Sequence, residues 1–348
     1  MKKVVSLICC FCLIAVLQVT AAKAAPAPKP ITLKYSSHGV ASDWLEQYLN
    51  DHLFKVITKR TNGQVQFQIY LGGSLLSANE APAGTAKGIA DITRIACATT
   101  PGLFPLSMFL TMPGLNIDPI AGAKALMDLY GSSQFPQYRE EWDKLNLRLL
   151  HPHLSPRTGF GVKGKIKDAR DLKGKNIRVF GSDWPVVLSE AYGVNPVGLA
   201  WSEVVDGLMR GTIDGLISPI NTHPEHKLGQ YIGTMLNGDL GLPNLSVVAM
   251  GTRSWNALPD DVKQVFVEEN ASFIEYLHRN WHAMAEKTAS DYWASMGVAI
   301  YEMTAAEKAQ MTDPISKVWQ KSTADLEKRG IPAGKLLEFY QAAKGGKR

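Results

Sequence analysis

The chain has 348 residues, 45% of them hydrophobic and 20% charged, and it is long enough to bury the core of two domains or of one large one. Its 30 glycines and 19 prolines are scattered, which is typical of a folded globule and excludes a disordered or fibrous protein. The formal charge of +5 falls to +2 without Lys2, Lys3 and Lys23, which lie in a segment that we expect to be removed. This balance argues against a charge-driven nucleic-acid binder, so we predict no nucleic-acid partner.

The amino-terminal segment has the order of charged, apolar and small residues that is typical of a secretory signal. Lys2 and Lys3 precede an apolar run over residues 4–17, and Ala22, Lys23 and Ala24 precede the predicted cleavage point. The run is shorter than the roughly 20 residues that a membrane-spanning helix needs. We therefore predict a cleaved signal peptide over residues 1–24, a proline-rich leader over residues 25–30, and a periplasmic location. An uncleaved anchor is the alternative.

Cysteine use agrees with this interpretation. Cys9, Cys10 and Cys12 belong to the predicted signal, so the mature chain keeps only Cys97. A lone thiol forms no internal disulfide, and we expect Cys97 to be a small buried hydrophobic residue.

Strand-like and helix-like patterns alternate from residue 31 onward, which predicts an α/β fold. The predicted strands, in chain order, cover residues 31–36, 65–70, 89–95, 147–150, 176–180, 213–218 and 245–250. The predicted helices cover residues 43–61, 80–86, 185–192, 202–209, with Ser202 as N-cap, and 259–296. At about 1.5 Å per residue the last helix would be roughly 55 Å long, so it must bridge two lobes or bend.

Two segments repeat one local pattern. Residues 87–92 and 210–215 both place a basic residue, a glycine, two spacers and an aspartate between a helix and a strand. The glycine would end the helix in the left-handed conformation and the aspartate would turn the chain into the next strand, so neither aspartate need be functional. The recurrence suggests two similarly built α/β lobes.

Most common catalytic and cofactor-binding motifs are absent from the sequence or lack the structural context that they need. Residues 159–164 (GFGVKG) have the spacing of a dinucleotide loop, but a charged segment follows in place of an apolar-faced helix. The sequence contains no Walker loop, nucleophile elbow or HExxH motif. A secreted α/β enzyme therefore remains only an alternative, because no nucleophile, base and orienting group form a recognisable pattern.

The histidines form three pairs, of which one has helical i, i+4 spacing: His151 and His153, His223 and His226, and His278 and His282. A metal site is one interpretation, because residues at i and i+4 share a helix face. The favoured interpretation places the last pair on the polar face of an amphipathic helix and the other two in loops beside prolines. We predict no metal and no cofactor.

Arg178 is the strongest single candidate for ligand binding. It alternates with apolar residues in the predicted strand 176–180 and lies near the carboxyl end of that strand, where open α/β sheets place ligands. Its guanidinium could grip a carboxylate through two parallel hydrogen bonds. A structural ion pair with a neighbouring acidic residue is the alternative.

Three segments resemble the extracytoplasmic solute-binding subunits of tripartite ATP-independent periplasmic (TRAP) transporters: residues 171–179 (DLKGKNIRV), 199–204 (LAWSEV) and 208–215 (LMRGTIDG). Four further segments are similar to that family in the same order: residues 61–65, 88–92, 101–106 and 258–262. The resemblance, to DctP-like subunits, covers nearly all of the mature chain.

The resemblance implies a two-lobed periplasmic binding protein fold, with the ligand cleft between the lobes and a long helix bridging both. We assign residues 31–150 and 244–280 to lobe I, and 151–243 and 281–348 to lobe II. By position in the family motifs, Arg178 is the carboxylate-binding arginine, and Trp201 is the aromatic residue that packs on the ligand. Ser218, His38 and Trp184 are further pocket candidates. Arg157 lies about one residue from a second family arginine.

Departures from the family pattern concern the ligand more than the fold. Residues 217–219 (ISP) replace an acidic and an amide side chain, so this wall should be more apolar and bind hydroxyl groups less well. We therefore predict a small organic carboxylate with an aromatic or branched apolar part. The resemblance implies delivery to ion-gradient-driven membrane subunits of a TRAP transporter, and a binding protein of an ATP-driven importer is the alternative.

Overall fold

The computed structural model describes residues 29–115, 117–181, 183–237 and 244–342. The predicted signal peptide lies outside the described residues, and so does most of the predicted leader. Within the described part of the chain, no helix is both long and apolar enough to cross a membrane.

Eleven strands are present in the described residues, and they form two sheets. Their bounds are β1 Ile31–Ser36, β2 Val65–Tyr70, β3 Ile92–Ala96, β4 Leu147–Leu154, β5 Thr158–Val162, β6 Asn176–Arg178, β7 Asn195–Val197, β8 Gly215–Pro219, β9 Thr234–Asn237, β10 Leu245–Gly251 and β11 Ala299–Glu302. The alternation that the sequence predicts is thus present, and the fold class is confirmed.

The helices surround these sheets. Their bounds are α1 Trp44–Leu49, α2 Lys55–Arg60, α3 Ala81–Ala86, α4 Pro105–Phe109, α5 Pro119–Gly131, α6 Pro136–Asp143, α7 Trp184–Tyr192, α8 Val204–Arg210, α9 Thr222–Glu225, α10 Thr252–Asn256, α11 Asp260–Ser295, α12 Ala305–Ala309, α13 Thr312–Lys328 and α14 Ala333–Ala342. A π-helical turn, Asn50–Phe54, joins α1 to α2, so the predicted helix 43–61 is one continuous helical segment with a wider turn at its centre.

The first lobe is built on the sheet β2-β1-β3-β10-β4, in which β1 is parallel to β2 and β3 and β10 is antiparallel to β3 and β4. The second lobe is built on the sheet β11-β9-β5-β8-β6-β7, in which β6 lies parallel between β8 and β7. The chain passes directly from β4 of the first sheet to β5 of the second. The exact lobe boundaries remain a prediction. Helix α14 packs beside α5 through Tyr340.

Helix α11 bridges the two lobes. Its first half buries Phe266, Phe273 and Leu277 in the core of the first lobe. Its second half buries Ala289 and Trp293 in the core of the second lobe. With 36 residues the helix is about 54 Å long. The predicted bridging helix is therefore confirmed, and it fixes one side of both lobes to a common support.

The repeated glycine and aspartate pattern has the predicted geometry in both lobes. Gly88 and Gly211 have φ angles of 80° and 75°, in the left-handed region. The Lys34 amide donates to Asp91 Oδ2 at 2.8 Å, and the Asn176 amide donates to Asp214 Oδ2 at 2.8 Å. Each aspartate thus joins the start of one strand to its parallel neighbour, which is a structural role.

Four local predictions were wrong, one of which concerns His223, which is buried in α9 and not in a loop. Ser202 does not cap a helix, because a 3₁₀ turn over Trp201–Glu203 precedes α8, and Glu203 accepts a hydrogen bond from the Ala200 amide. The pair His151 and His153 lies in strand β4, where both residues are buried. His278 does not lie on a polar face. It is buried against β4, where its Nε2 accepts a hydrogen bond from the Leu154 amide. Cys97 is buried and unpaired, as predicted.

Candidate functional site: the cleft between the lobes

Arg178 ends strand β6 on the cleft side of the second lobe. Its Nε donates to the Leu199 carbonyl at 3.3 Å. Its guanidinium carbon lies 5.3 Å from the centre of the Trp201 ring and 5.8 Å from that of Phe180. The strand is short, so the chain turns away immediately after Arg178 and leaves the guanidinium between two aromatic rings. Two of the predicted site residues, Arg178 and Trp201, are thus close together in the structure.

The positive charge of Arg178 is not balanced by a nearby negative charge of the described residues. No carboxylate of the described residues forms an ion pair with it. Burial lowers its pKa to about 10, because a charged group is less stable where water is excluded. Among the described residues, the guanidinium has one hydrogen-bond partner, the Leu199 carbonyl, and a carboxylate is the planar acceptor that matches its remaining N–H groups. The geometry is therefore suited to hold an organic anion.

Trp201 connects this arginine to the first lobe. Its indole N–H donates to Nε2 of His226 at 3.3 Å, and the same Nε2 lies 3.6 Å from Oδ1 of Asp43. Asp43 precedes α1 in the first lobe, whereas His226 follows α9 in the second. A chain of polar contacts thus crosses the cleft beside Arg178.

The first lobe presents its own arginine to the cleft. Arg94 in β3 lies 2.8 Å from Glu46 and 3.6 Å from Asp43, and its side chain is 14% exposed. Glu46 also accepts hydrogen bonds from the hydroxyls of Ser37 and Tyr35. Burial alone would lower the pKa of Arg94, but the carboxylates of Glu46 and Asp43 outweigh it and raise that pKa. This arginine is already paired.

His38 lies in the loop after β1, as predicted. Its Nδ1 is buried and has no hydrogen-bond partner among the described residues. Burial, together with the charge of Arg94, lowers its pKa to about 3, so the imidazole is neutral. A neutral imidazole with a free ring nitrogen can donate to or accept from a ligand.

The other three predicted site residues have different surroundings. Ser218 is buried in β8, where its hydroxyl accepts from Thr222 at 3.0 Å. Trp184 lies at the start of α7, and its buried indole N–H has no partner among the described residues. Arg157 pairs with Glu286 of α11 at 2.9 Å and donates to Asn237 at 3.0 Å. The structure thus brings Arg178 and Trp201 together, and it gives Arg157 partners of its own.

A small cavity lies between the lobes near Arg178. It has a volume of about 20 Å³ and is lined by Met108 and Thr111 of the first lobe and by Phe180 and Trp184 of the second. This volume holds about one water molecule, so an organic acid does not fit in this cavity as it stands.

A group of potential metal donors lies in the same cleft. The nearest donor atoms of Asp43, Glu225 and His226 lie within 4.8 Å of one another. Arg94, however, is 3.6 Å from Asp43 and would repel a cation there. The arrangement therefore fits a metal centre poorly.

Sequence reasoning missed several residues of this cleft, namely Asp43, Arg94 and Glu225. Arg94 carried a detectable signal, because it is a charged residue within a buried strand, as Arg178 is. Asp43 and Glu225 carried none, because they lie far apart in the chain and each looks like an ordinary helix-end residue.

The fold and the cleft correspond to a known class of binding proteins. A solute-binding protein of Rhodoferax ferrireducens, solved in complex with benzoate, superposes with a TM-score of 0.81 at 22% identity, covering 91% of this chain and 98% of the other. A marine metagenome TRAP solute-binding protein with bound 3-hydroxybenzoate gives 0.80 at 20% identity, covering 91% and 99%. These similarities show the two-lobed fold of TRAP periplasmic binding proteins.

The family follows from the sequence match. Residues 36–325 match the DctP model, bacterial extracellular solute-binding protein family 7. A solute-binding protein of Verminephrobacter eiseniae is 25% identical over 245 residues, covering 68% of this chain and 67% of that protein. The chain belongs to the DctP family of TRAP extracytoplasmic solute receptors. It is a binding protein and not an enzyme.

Proposed function

We propose that this receptor captures a small organic carboxylate with an aromatic or branched apolar part. Arg178 would hold the carboxylate, and the rings of Trp201 and Phe180 would pack on the apolar part. His38 would contribute a polar contact from the first lobe. This assignment goes beyond the family, whose members bind different organic ligands.

One observation carries the proposal: Arg178 is a desolvated guanidinium between two aromatic rings, with no carboxylate partner among the described residues. Leaving a buried charge unpaired is costly, so the ligand's carboxylate would supply the missing partner. The flanking rings favour an apolar group next to that carboxylate.

The wall around Ser218 supports the same ligand class. The Ser218 hydroxyl accepts from Thr222 and lies 3.3 Å from Nε2 of His223, so it is engaged within its own lobe. A ligand rich in hydroxyl groups would find few free partners there. The two structural relatives described above hold benzoate and 3-hydroxybenzoate, and both ligands are aromatic carboxylates.

Delivery would depend on closure of the lobes. Ligand contacts from both lobes exist only in the closed form, so binding shifts the population towards it. We propose that the closed form docks on membrane subunits of a TRAP transporter that an ion gradient drives. We also propose that residues 1–24 direct the chain to the periplasm and are then removed.

The proposal is tested by the melting temperature of the purified protein with benzoate, 3-hydroxybenzoate, succinate, gluconate and the uncharged benzamide. A ligand at a hundredfold excess over its Kd stabilises the folded state by about 2.7 kcal/mol. We expect the aromatic acids to raise the melting temperature and benzamide to leave it unchanged. Arg178→Ala should abolish the shift, whereas Arg170→Ala, at an exposed arginine of the same lobe, should retain it.

Two outcomes would contradict this assignment. A shift with gluconate alone would exclude the apolar ligand class. A shift that survives Arg178→Ala would show that the arginine does not hold the anion. Arg157→Ala in the same assay tests the remaining predicted arginine, and a retained shift would remove it from the binding site.

A further inference from the structure

Building on the proposed function, we propose that Glu225 is a positioning residue that holds the second lobe against the first and couples closure of the cleft to the uptake of one proton.

Glu225 makes a direct contact between the lobes. Its Oε1 accepts a hydrogen bond from the Trp44 amide at 3.2 Å, although the two residues are 181 positions apart. Its Oε2 accepts from Asn221 Nδ2 at 2.9 Å within its own lobe. The Trp44 side chain packs against the apolar cores of both lobes. Trp44 and Glu225 therefore mark a point where the lobes meet, and opening the cleft separates them.

The charges around this contact do not balance. Arg94 is the cation nearest to the contact, and Glu46 and Asp43 already surround it. Glu225 forms no ion pair with any described residue. Asp43 and Arg94 of the first lobe are the charged groups that act on Glu225, and Glu46 reaches the cluster through Arg94. From its own lobe, His226 has a ring nitrogen within 4.8 Å of the Glu225 carboxylate, and His223, on which Arg157 acts, lies two residues before it in the chain. A third carboxylate in this cluster is most stable when it is protonated.

The direction of the pKa shift agrees with the geometry. Burial, together with the charge of Asp43, raises the pKa of Glu225 to about 8. In the open form water would reach the carboxyl group, and its pKa would return to the ordinary range near 4.3. The closed form then binds one more proton than the open form between these values. Closure is favoured at low pH and weakens as the pH rises towards 8.

His226 acts in the opposite direction at lower pH. Burial lowers its pKa, while Asp43 partly offsets this effect. Below about pH 6.5 the open form would bind a proton at His226 that the closed form excludes. The two effects oppose each other there, so the dependence on Glu225 should emerge between pH 6.5 and 8.

The test measures the distance between the lobes in the ligand-free mature receptor, which lacks Cys9, Cys10 and Cys12. Spin labels at Lys59→Cys and Lys173→Cys, both exposed and on different lobes, report closed and open populations by pulsed EPR, and Cys97 is buried. We expect the ratio of closed to open molecules to fall between pH 6.5 and 8, by up to about tenfold per pH unit. Because no ligand is present, failure of the carboxylate proposal would not affect this result.

Matched variants separate the charge from the hydrogen bond. Glu225→Gln keeps an oxygen acceptor for the Trp44 amide and cannot ionise, so the ratio should stay constant from pH 6.5 to 8 and exceed that of the wild type at pH 8. Glu225→Ala loses the acceptor and should be more open than Glu225→Gln at every pH. A melting temperature for each variant shows that it is folded.

The proposal is overturned by either of two results. In the first, the wild-type ratio of closed to open molecules does not change between pH 6.5 and 8. In the second, this ratio falls with pH in Glu225→Gln in the same way as in the wild type. The second result would assign the pH dependence to another group, with Asp43 and His226 as the nearest.

Discussion

Each lobe presents one arginine to the cleft from a strand of its sheet, and the two arginines have opposite surroundings. Arg94 of the first lobe contacts the carboxylates of Glu46 and Asp43. Arg178 of the second lobe contacts a carbonyl and two aromatic rings. The same residue type in a comparable place is thus a structural ion-pair partner in one lobe and the proposed anion-binding residue in the other. The neighbouring carboxylates decide which role the arginine has.

The two lobes have a similar backbone arrangement near these arginines, although the charged groups around the arginines differ. Asp91 and Asp214 accept backbone amides of the adjacent parallel strand at the same distance in both lobes. The lobes therefore share a strand-joining device and differ in what they place in the cleft.

The largest effect that we expect in this comparison comes from Arg94→Ala. It leaves Glu46, whose side chain is 2% exposed, without its cation, and breaking a buried pair in this way costs about 3–5 kcal/mol of folding free energy. Urea unfolding measures the loss. The double variant Arg94→Ala with Glu46→Gln should recover much of it, and a single variant as stable as the wild type would show that the pair is dispensable.

The loss of stability on replacing each of the two aspartates should increase with the number of hydrogen bonds that the aspartate accepts. Asp91 also accepts the Ser254 hydroxyl at 2.6 Å, so Asp91→Ala should cost about 2 kcal/mol and Asp214→Ala about 1 kcal/mol. Thermal or urea unfolding of both variants gives the comparison. Equal losses would show that the additional hydroxyl contributes nothing, and a loss of ligand binding without a loss of stability would contradict the structural role.

Arg178→Met should have the opposite effect to Arg94→Ala. Methionine replaces a partly buried charge that has no ion-pair partner among the described residues by an apolar side chain of similar length. This change should raise the free energy of unfolding of the ligand-free protein by about 1 kcal/mol and abolish anion binding. Urea unfolding and the ligand panel measure the two effects on the same preparation. A strongly destabilised Arg178→Met variant would indicate that the arginine is structural, as Arg94 is.

The smallest effect should come from Trp201→Phe. Phenylalanine keeps a ring beside Arg178 but is a weaker partner for a cation, and it loses the hydrogen bond to His226. We expect the affinity for the aromatic acids to fall about two- to fivefold, which corresponds to less than about 1 kcal/mol. Titration calorimetry measures it. A loss as large as that of Arg178→Ala would assign Trp201 a more direct role in holding the ligand.

Local patterns of the sequence predicted the α/β fold, the paired lobes, the bridging helix α11 and the buried Cys97. They did so because hydrophobic periodicity and helix-ending glycines act over a few residues. The position of Arg178 also followed from alternation in one strand. His38 lies in the loop between β1 and α1, and its role in the pocket, which the resemblance implies, remains a prediction.

Only the tertiary structure decided which charged groups meet across the cleft. Trp44 and Glu225 form a contact over 181 residues of chain, and no local pattern carries that information. The same holds for His278, whose helical spacing suggests an exposed face although β4 covers it. Pairing and burial depend on how the lobes pack. The sequence therefore determined the scaffold and the candidate anion site, whereas packing determined which arginine and which carboxylate have no ion-pair partner among the described residues.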